Sequence, residues 1–297
     1  MSAEMAQIIA QCGGTASRAE IGGVSQRRLT AAVREGLLLR PRRGVYTLPG
    51  LDAAVEGAQR ASGVVSHRSA ALLHGWGVLH EPSRPEIVVP RHLRLDRSRR
   101  TGLHLRWRVL DEEDAVNGVT SPLRTVVDCA RDLELPEALA VADSALRAGS
   151  LTRADLTEAA ADLPRLGRAR ASRVLDLASA DAANPFESGL RALATEATDE
   201  LWVPQTPVLV RDGRLLHADT GCAELQIALE ADSHTFHKTR ADVRRDCWRY
   251  TEMTIARWVV LRFAWEHVMF EPDWVRDVIA WVTGLRRAPT LARSCSA

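Results

Sequence analysis

Hydrophobic positions first settle into a helical rhythm at Leu29, Ala32 and Val33, in a segment that Ser25 can cap and Gly36 can end. Upstream, Met5–Cys12 is apolar along one side and stops at Gly13-Gly14. Ser17-Arg18-Ala19-Glu20 then has the form of a capping box, opening a brief second helix that ends at Gly22-Gly23. Downstream, Leu37–Arg40 and Gly44–Leu48 have strand character, joined by the tight basic turn Pro41-Arg42-Arg43-Gly44. Helix, helix, helix, hairpin is the order of a winged helix-turn-helix, predicted here over residues 1–50.

From 51 to 180 the pattern is mixed. Val64–Ser69 leads into an apolar helix, Ala70–Leu73, closed by Gly75. Glu86–Pro90 and Leu103–Val109 are strand-like, the second alternating. Thr120-Ser121-Pro122 starts a helix carrying Arg124 and Asp128 one turn apart, and Pro136–Arg147 and Arg153–Ala161 are further helices. A polar link, Asp181–Asn184, opens a third segment, 181–285. It runs as the helix Pro185–Thr198, the strands Thr206–Val210 and Leu215–Asp219 about an Asp-Gly turn, and a strand Glu224–Ala231 apolar enough to be central. A charged helix Ala241–Thr254, the strand Trp258–Phe263 and an amphipathic helix Pro272–Leu285 complete it. The tail, 286–297, is expected to be disordered. The fold class predicted is α+β in three parts.

Composition narrows the function classes. The 297 residues carry a net charge of +1, so the molecule is no polycation, yet residues 1–50 hold seven arginines against three glutamates. A second basic run, Arg91–Arg108, has seven arginines and one acid, Asp96. It would extend a DNA footprint or coat a strand's wet face. Five scattered cysteines without a C-x-x-C pair fit neither a disulfide framework nor a zinc ribbon. No apolar run reaches the ~18 residues of a membrane span, and the N-terminus has no secretory pattern, so a cytoplasmic protein with no membrane partner is expected. His67, His74 and His80 lack the spacing of a ligand pair and are expected to be structural.

Two groups of residues carry candidate chemistry. Gln26, Arg27 and Arg28 stand in the first turn of the third helix, where a recognition helix meets base edges, with Arg34 further along it. Arg42 and Arg43, at the wing tip, are placed for phosphate or the minor groove; double-stranded DNA is the partner these positions predict. The third segment puts carboxylates at strand ends: Asp219 closing one, Glu230 and Asp232 on the same side of the next, with His234 and His237 following and Glu187 on the first helix. Carboxylates from neighbouring strand ends can hold Mg²⁺ and set it against a phosphodiester. Plainer roles stand beside these: Glu187, three residues after Asn184, completes a capping box, Asp232 starts a turn, and the histidines are exposed loop residues.

Residues 1–150 resemble the AbiEi-type antitoxin domain common in actinobacteria, through R-R-G-V-Y at Arg42–Tyr46, V-S-H-R-S-A-A-L-L-H-G at Val65–Gly75 and T-S-P-L-R-T-V-V-D at Thr120–Asp128. About 184–284 resemble the very-short-patch-repair-like endonuclease domains of the PD-(D/E)XK superfamily. The residues that carry this are P-F-E-S at Pro185–Ser188, Asp219, A-L-E-A-D-S at Ala228–Ser233, His237, Arg245-Asp246 and V-V-L-R-F at Val259–Phe263. The second resemblance implies a mixed sheet flanked by helices, Asp219 and Glu230 as ligands of Mg²⁺, Glu187 and Asp232 beside the site, and His237 as acid/base or ligand. The chain departs from that superfamily in lacking the lysine after the second carboxylate; Asp232 stands there. The implied function is a DNA-binding protein with a metal-dependent endonuclease domain. The alternative is a non-enzymatic transcriptional regulator or antitoxin of a toxin–antitoxin operon, partnered by a nucleotidyltransferase-like toxin. The sequence leaves the oligomeric state open.

Overall fold

The computed structural model describes residues 8–9, 15–19, 21–42, 44–49, 51–232 and 240–288 of an α+β protein with two mixed sheets and a small antiparallel one. The chain divides into two compact units, Met1–Gly189 and Leu190–Ala297. Among the described residues, no helix is long and apolar enough to cross a membrane.

The first unit opens with β1 (Thr15–Ser17), α1 (Gln26–Arg34), β2 (Leu39–Arg42) and β3 (Val45–Thr47). The three strands pair antiparallel in the order β1-β3-β2. Leu29 and Ala32 of α1 pack with Ile9, Ala16, Ile21, Val24, Leu38 and Tyr46 in one core, and Val33 lies against it, as the spacing predicts. The expected helix at Met5–Cys12 falls largely outside the described residues. The helix expected from Ser17 does not form. Ser17 pairs with Val45 in β1, Arg18 N–H donates to Gly44 O at 2.7 Å, and Ala19–Gly22 closes a single turn. Four residues before a glycine pair, with Gly22 at φ +60°, offer too few helical bonds to offset nucleation, while the strand gains a ladder. The hairpin also reverses later than expected: Pro41 and Arg42 extend β2.

The rest of this unit runs α2 (Leu51–Ala61), β4 (Val64–Val65), α3 (His67–Leu73), β5 (Glu86–Pro90), α4 (Arg97–Arg100), β6 (His104–Arg108), β7 (Ala115–Val116) and β8 (Val119–Thr120). Helices α5 (Pro122–Asp132), α6 (Leu135–Arg147), α7 (Arg153–Ala161) and α8 (Arg168–Leu177) follow. The five strands lie in the order β6-β5-β4-β8-β7, with β5/β6 and β4/β8 parallel. Ser121 caps α5, accepting from Arg124 N–H at 3.4 Å, with Pro122 in its first turn. Helix α2 escapes hydrophobic-pattern reading because its inward positions are alanines, Ala54, Ala58 and Ala61, which mark a face only weakly. Gly63 is obligatory: a Cβ there would stand 2.5 Å from Val88 O.

Helix α9 (Pro185–Ala197) carries the chain through the division at Gly189. The second unit is built on β9 (Val203–Leu209), β10 (Leu215–Cys222), β11 (Ile227–Asp232) and β12 (Val259–Ala264), in the order β12-β11-β10-β9. The apolar run Ile227–Leu229 is central, as expected. β11 and β12 are parallel, and α10 (Arg240–Ile255) lies between them in sequence, as a parallel pair requires. The strand containing Asp219 does not stop there but continues to Cys222, because Thr220, Gly221 and Cys222 pair with Leu229, Ala228 and Ile227. Two helices, α11 (Trp265–Phe270) and α12 (Pro272–Arg287), end the described chain.

Candidate functional site

The first turn of α1 is fixed from two directions. Ser25, extended at φ −70° and ψ 149°, accepts from Arg28 N–H, satisfying one of the helix's orphan donors. Gln26 Nε2 donates to the hydroxyl of buried Tyr46 at 2.9 Å, tying the helix start to the hairpin, and the Arg40 guanidinium lies 5.9 Å from the Tyr46 ring centre. Gln26, Arg27 and Arg34 are exposed and Arg28 is half-buried. Arg42 ends β2. Arg43 lies outside the described residues.

Behind the V-S-H-R-S motif is an ion network that the sequence does not announce. His67, fully buried at φ +50°, bonds Ser66 Oγ through Nδ1 at 2.9 Å and Asp132 Oδ2 through Nε2 at 3.0 Å. Asp132 also receives Arg108 at 2.7 Å and Arg106 Nε at 3.0 Å. Burial alone would raise the Asp132 carboxyl, but the His67 hydrogen bond and the two arginines outweigh it and lower it to about 2. Arg68 joins fully buried Glu86 at 2.9 Å to Glu137 at 2.7 Å, and this pairing holds Glu86 below the ordinary carboxylate range despite its burial. The i,i+4 pair is present too: Arg124 Nε meets Asp128 Oδ2 at 2.7 Å. The expected structural histidines have protein partners, His74 on Thr120 O at 2.8 Å and His80 beside Glu137 at 3.2 Å.

The Arg91–Arg108 run divides. Arg106 and Arg108 turn inward to Asp132, and Arg99 braces the chain on Arg60 O and Ser62 Oγ. Arg91, Arg94, Arg97 and Arg100 face solvent.

In the second unit, Asp219 and Glu230 come from adjacent antiparallel strands. Asp219 Oδ2 accepts from Ala231 N–H at 2.8 Å. Glu230, 2% exposed, pairs through Oε2 with Arg249 of α10, which also donates to His217 O. Glu230 Oε1 is buried with no hydrogen-bond partner among the described residues. Burial and the charge of Asp219 raise the Glu230 carboxyl to about 8 against the pull of Arg249, and burial likewise raises Asp219. Asp232 pairs with Arg262, whose guanidinium lies 4.3 Å from the Tyr250 ring centre. Sequence reasoning missed Arg249 and Tyr250, since nothing in the spacing of a charged helix marks which side chains turn toward the sheet, and it gave Arg262 no role although the V-V-L-R-F motif contains it. Arg245, quoted in the motif, pairs with Asp242 one turn away on its own helix.

Glu187 falls in the first compact unit. Its carboxylate accepts from Ala183 N–H at 2.8 Å and Asn184 Nδ2 at 2.9 Å, while Asn184 Oδ1 accepts from Glu187 N–H, a helix cap whose return bonds come from the Ala183 backbone and the Asn184 side-chain amide. His234 and His237 lie outside the described residues. Among those described, no group of three or more His, Cys, Asp or Glu side chains could together hold a metal ion. The chemistry on offer is a buried carboxyl, Glu230, beside a half-buried one, Asp219, with one arginine at the pair.

Two relatives, the uncharacterised proteins MT2308 and Rv2248 from two strains of Mycobacterium tuberculosis (CDC 1551 / Oshkosh and ATCC 25618 / H37Rv), are each 29% identical over 261 residues, covering 84% of this chain and 93% of theirs. The crystal structure of the RV2827C protein from Mycobacterium tuberculosis aligns at a TM-score of 0.32 and 17% identity, over 58% of this chain and 74% of that one. Residues 61–177, which contain the Val65–Gly75 and Thr120–Asp128 motifs and the ion network around His67 and Arg68, match the AbiEi antitoxin C-terminal domain.

Proposed function

We propose that this chain is a DNA-binding regulator of the antitoxin type. Its N-terminal segment docks on duplex DNA as a winged helix-turn-helix, and the AbiEi-type domain behind it serves a toxin–antitoxin pair whose toxin is nucleotidyltransferase-like. The observation that carries the reading is the first turn of α1, capped by Ser25 and pinned to the hairpin through Gln26 and Tyr46, with Arg27 in solvent beside it. A rigid helix start bearing arginines suits base edges, and Arg34, Arg42 and Arg43 would add phosphate contacts. The match of residues 61–177 to an antitoxin domain supports the same reading.

Mobility shifts with DNA from upstream of the chain's own gene test it. Arg28→Ala is expected to cost ~1–3 kcal/mol at a specific site and far less on random duplex. Equal binding by wild type and variant removes Arg28 from base readout. Absence of salt-dependent DNA binding overturns the reading, since each phosphate contact contributes a slope of about −0.9 in log K against log salt.

A second reading, a metal-dependent DNA endonuclease, is favoured by Glu230 Oε1, a buried carboxyl oxygen without a hydrogen-bond partner among the described residues, beside the carboxyl of Asp219. That donor set fits Mg²⁺, a hard cation that takes oxygen ligands and keeps several waters. Asp219 and Glu230 would hold it, and it would supply Lewis-acid activation of water for phosphodiester hydrolysis. Arg249 would be the cation at Glu230 in place of the absent lysine, with Asp232 on the same strand and His237 as acid/base. Plasmid cleavage in Mg²⁺ or Mn²⁺ decides: cutting by wild type, lost in Asp219→Ala and in Glu230→Ala, establishes the endonuclease. No cutting by a preparation that still binds DNA leaves the regulator alone.

A further inference from the structure

The V-S-H-R-S motif and the strands beside it shape a cleft that neither reading uses. It is open, about 370 Å³ in volume, and lined by Arg68, Ser83, Arg84, Leu103 and His104. Strands β5 and β6 run parallel with Glu86 opposite His104, so both begin at one end of the sheet. Ser83 and Arg84 lead into β5 there, Leu103 leads into β6, and Arg68 comes from the first turn of α3.

Positive charge is in surplus at this end. Glu86 Oε1 gathers Arg68 at 2.9 Å, His104 Nδ1 at 3.7 Å and Arg106 Nη1 at 3.8 Å. Glu137 takes Arg68 and His80, and Asp132 takes Arg106, Arg108 and His67. Arg84 comes in addition: exposed, it has no ion pair or hydrogen bond among the described residues. Glu81, three residues before it, does not line the cleft, and burial raises its carboxyl with no cation lowering it. Donors are in surplus too. Three of the five guanidinium N–H groups of Arg68 go to Glu86 and Glu137, which leaves two. The Ser83 hydroxyl and His104 Nε2 have no partner among the described residues. Arg106 Nη1, which shares Glu86, is buried without a hydrogen-bond partner there. Burial and the charge of Arg106 hold the His104 imidazole below its ordinary value, the sign expected beside excess positive charge.

We propose that this cleft binds the phosphate group of a small ligand, with Arg84 as its charge partner and Ser83, His104 and Arg68 as further donors. Leu103 is its one apolar wall, too little for a hydrocarbon ligand, and the cations disfavour a basic one. A guanidinium fork matches an oxyanion, and a phosphate brings more charge and more acceptor oxygens than a carboxylate does. The cleft is at the small end of ligand pockets, with room for a phosphate and the group it is esterified to. The site does not rest on the DNA-binding reading.

Titration of the full chain with inorganic phosphate and, separately, with a nucleoside 5′-monophosphate tests it, at constant ionic strength. The readout is the imidazole C2–H resonance of His104, assigned by its loss in His104→Gln. Wild type is expected to show a saturable shift towards the protonated position, with a Kd of ~0.1–10 mM. Arg84→Ala is expected to raise that Kd at least ~10-fold at unchanged Tm, because no group in the chain bonds Arg84. Arg91→Ala, an exposed arginine past the other end of β5, is expected to change nothing. A mononucleotide that binds ~10-fold tighter than phosphate supports the site and makes the ligand a nucleotide; equal affinities support it for the phosphate group alone. No saturable shift up to ~50 mM of either ligand overturns the proposal. So does binding that Arg84→Ala leaves intact or that Arg91→Ala weakens equally, and so does a shift produced only by duplex DNA.

Discussion

Replacing Asp132 by alanine is expected to cost ~3–5 kcal/mol of unfolding free energy, read as a lower urea midpoint at unchanged slope. The cost comes from what the aspartate leaves behind. His67 is fully buried, Arg106 and Arg108 are each four-fifths or more buried, and all three direct a charged or polar nitrogen at this one carboxylate. Removing it strands two cations in a partly desolvated site, which is far more expensive than the net worth of any one pair. A loss below ~1 kcal/mol would show that water or Glu86 replaces Asp132 readily. The same group sets an acid limit. Its folded-state pKa lies below that of a free aspartate, so its contribution is complete at neutral pH and is lost as pH falls from 3.8 towards about 2. That shift corresponds to about 2 kcal/mol, and Asp132→Ala is expected to flatten the limb.

The carboxylates of the second unit carry the opposite sign. Glu230 is raised from 4.5 to about 8, so the folded state holds its proton more tightly than the unfolded chain does. Its contribution is fullest below pH 4.5 and is lost as pH rises through about 8. Glu230→Gln is therefore expected to stabilise the protein above pH 8, by ~2–3 kcal/mol, and to flatten the alkaline limb. Two effects act together: the amide removes one of two crowded charges, and Asp219 can then ionise towards Arg249, which already influences it. Thermal unfolding against pH measures this, and an unchanged alkaline limb would mean that Asp219, not Glu230, keeps the shared proton. Mn²⁺ or Mg²⁺ adds a second test. If the pair takes a cation, the metal at pH 8 stabilises wild type and not Glu230→Gln, by ~2.7 kcal/mol at a hundred times its Kd, read as a higher Tm. The alkaline limb without metal checks the electrostatics alone, so the two outcomes separate.

Much of the local architecture was legible in the sequence, because its causes are local. Ser25 before an amphipathic run, Pro122 after a hydroxyl, and the apolar run Ile227–Leu229 each state a cap, a start or a central strand within a few residues. The likeness of the middle segment to an AbiEi antitoxin domain was legible in the same way, since its motifs are contiguous. Where local signals competed, tertiary structure decided. Ser17-Arg18-Ala19-Glu20 has helical chemistry, but pairing with Val45 and Thr47 makes Thr15–Ser17 a strand, a gain invisible without the hairpin beside it.

The candidate sites show the same division more sharply. Sequence determined that residues 1–50 are basic and that Arg27 and Arg28 share a helix start; it also placed acids on the second unit's strands. Only the tertiary structure decided which charges meet. His67 finds Asp132 across 65 residues, Glu230 finds Arg249 across 19, and the Arg91–Arg108 run divides into inward and outward arginines with no change in its spacing. The physical reason is that an ion pair leaves no local mark. A side chain's propensity acts within a turn of helix or a strand's alternation, whereas a buried charge is fixed by whichever distant element supplies its counter-charge.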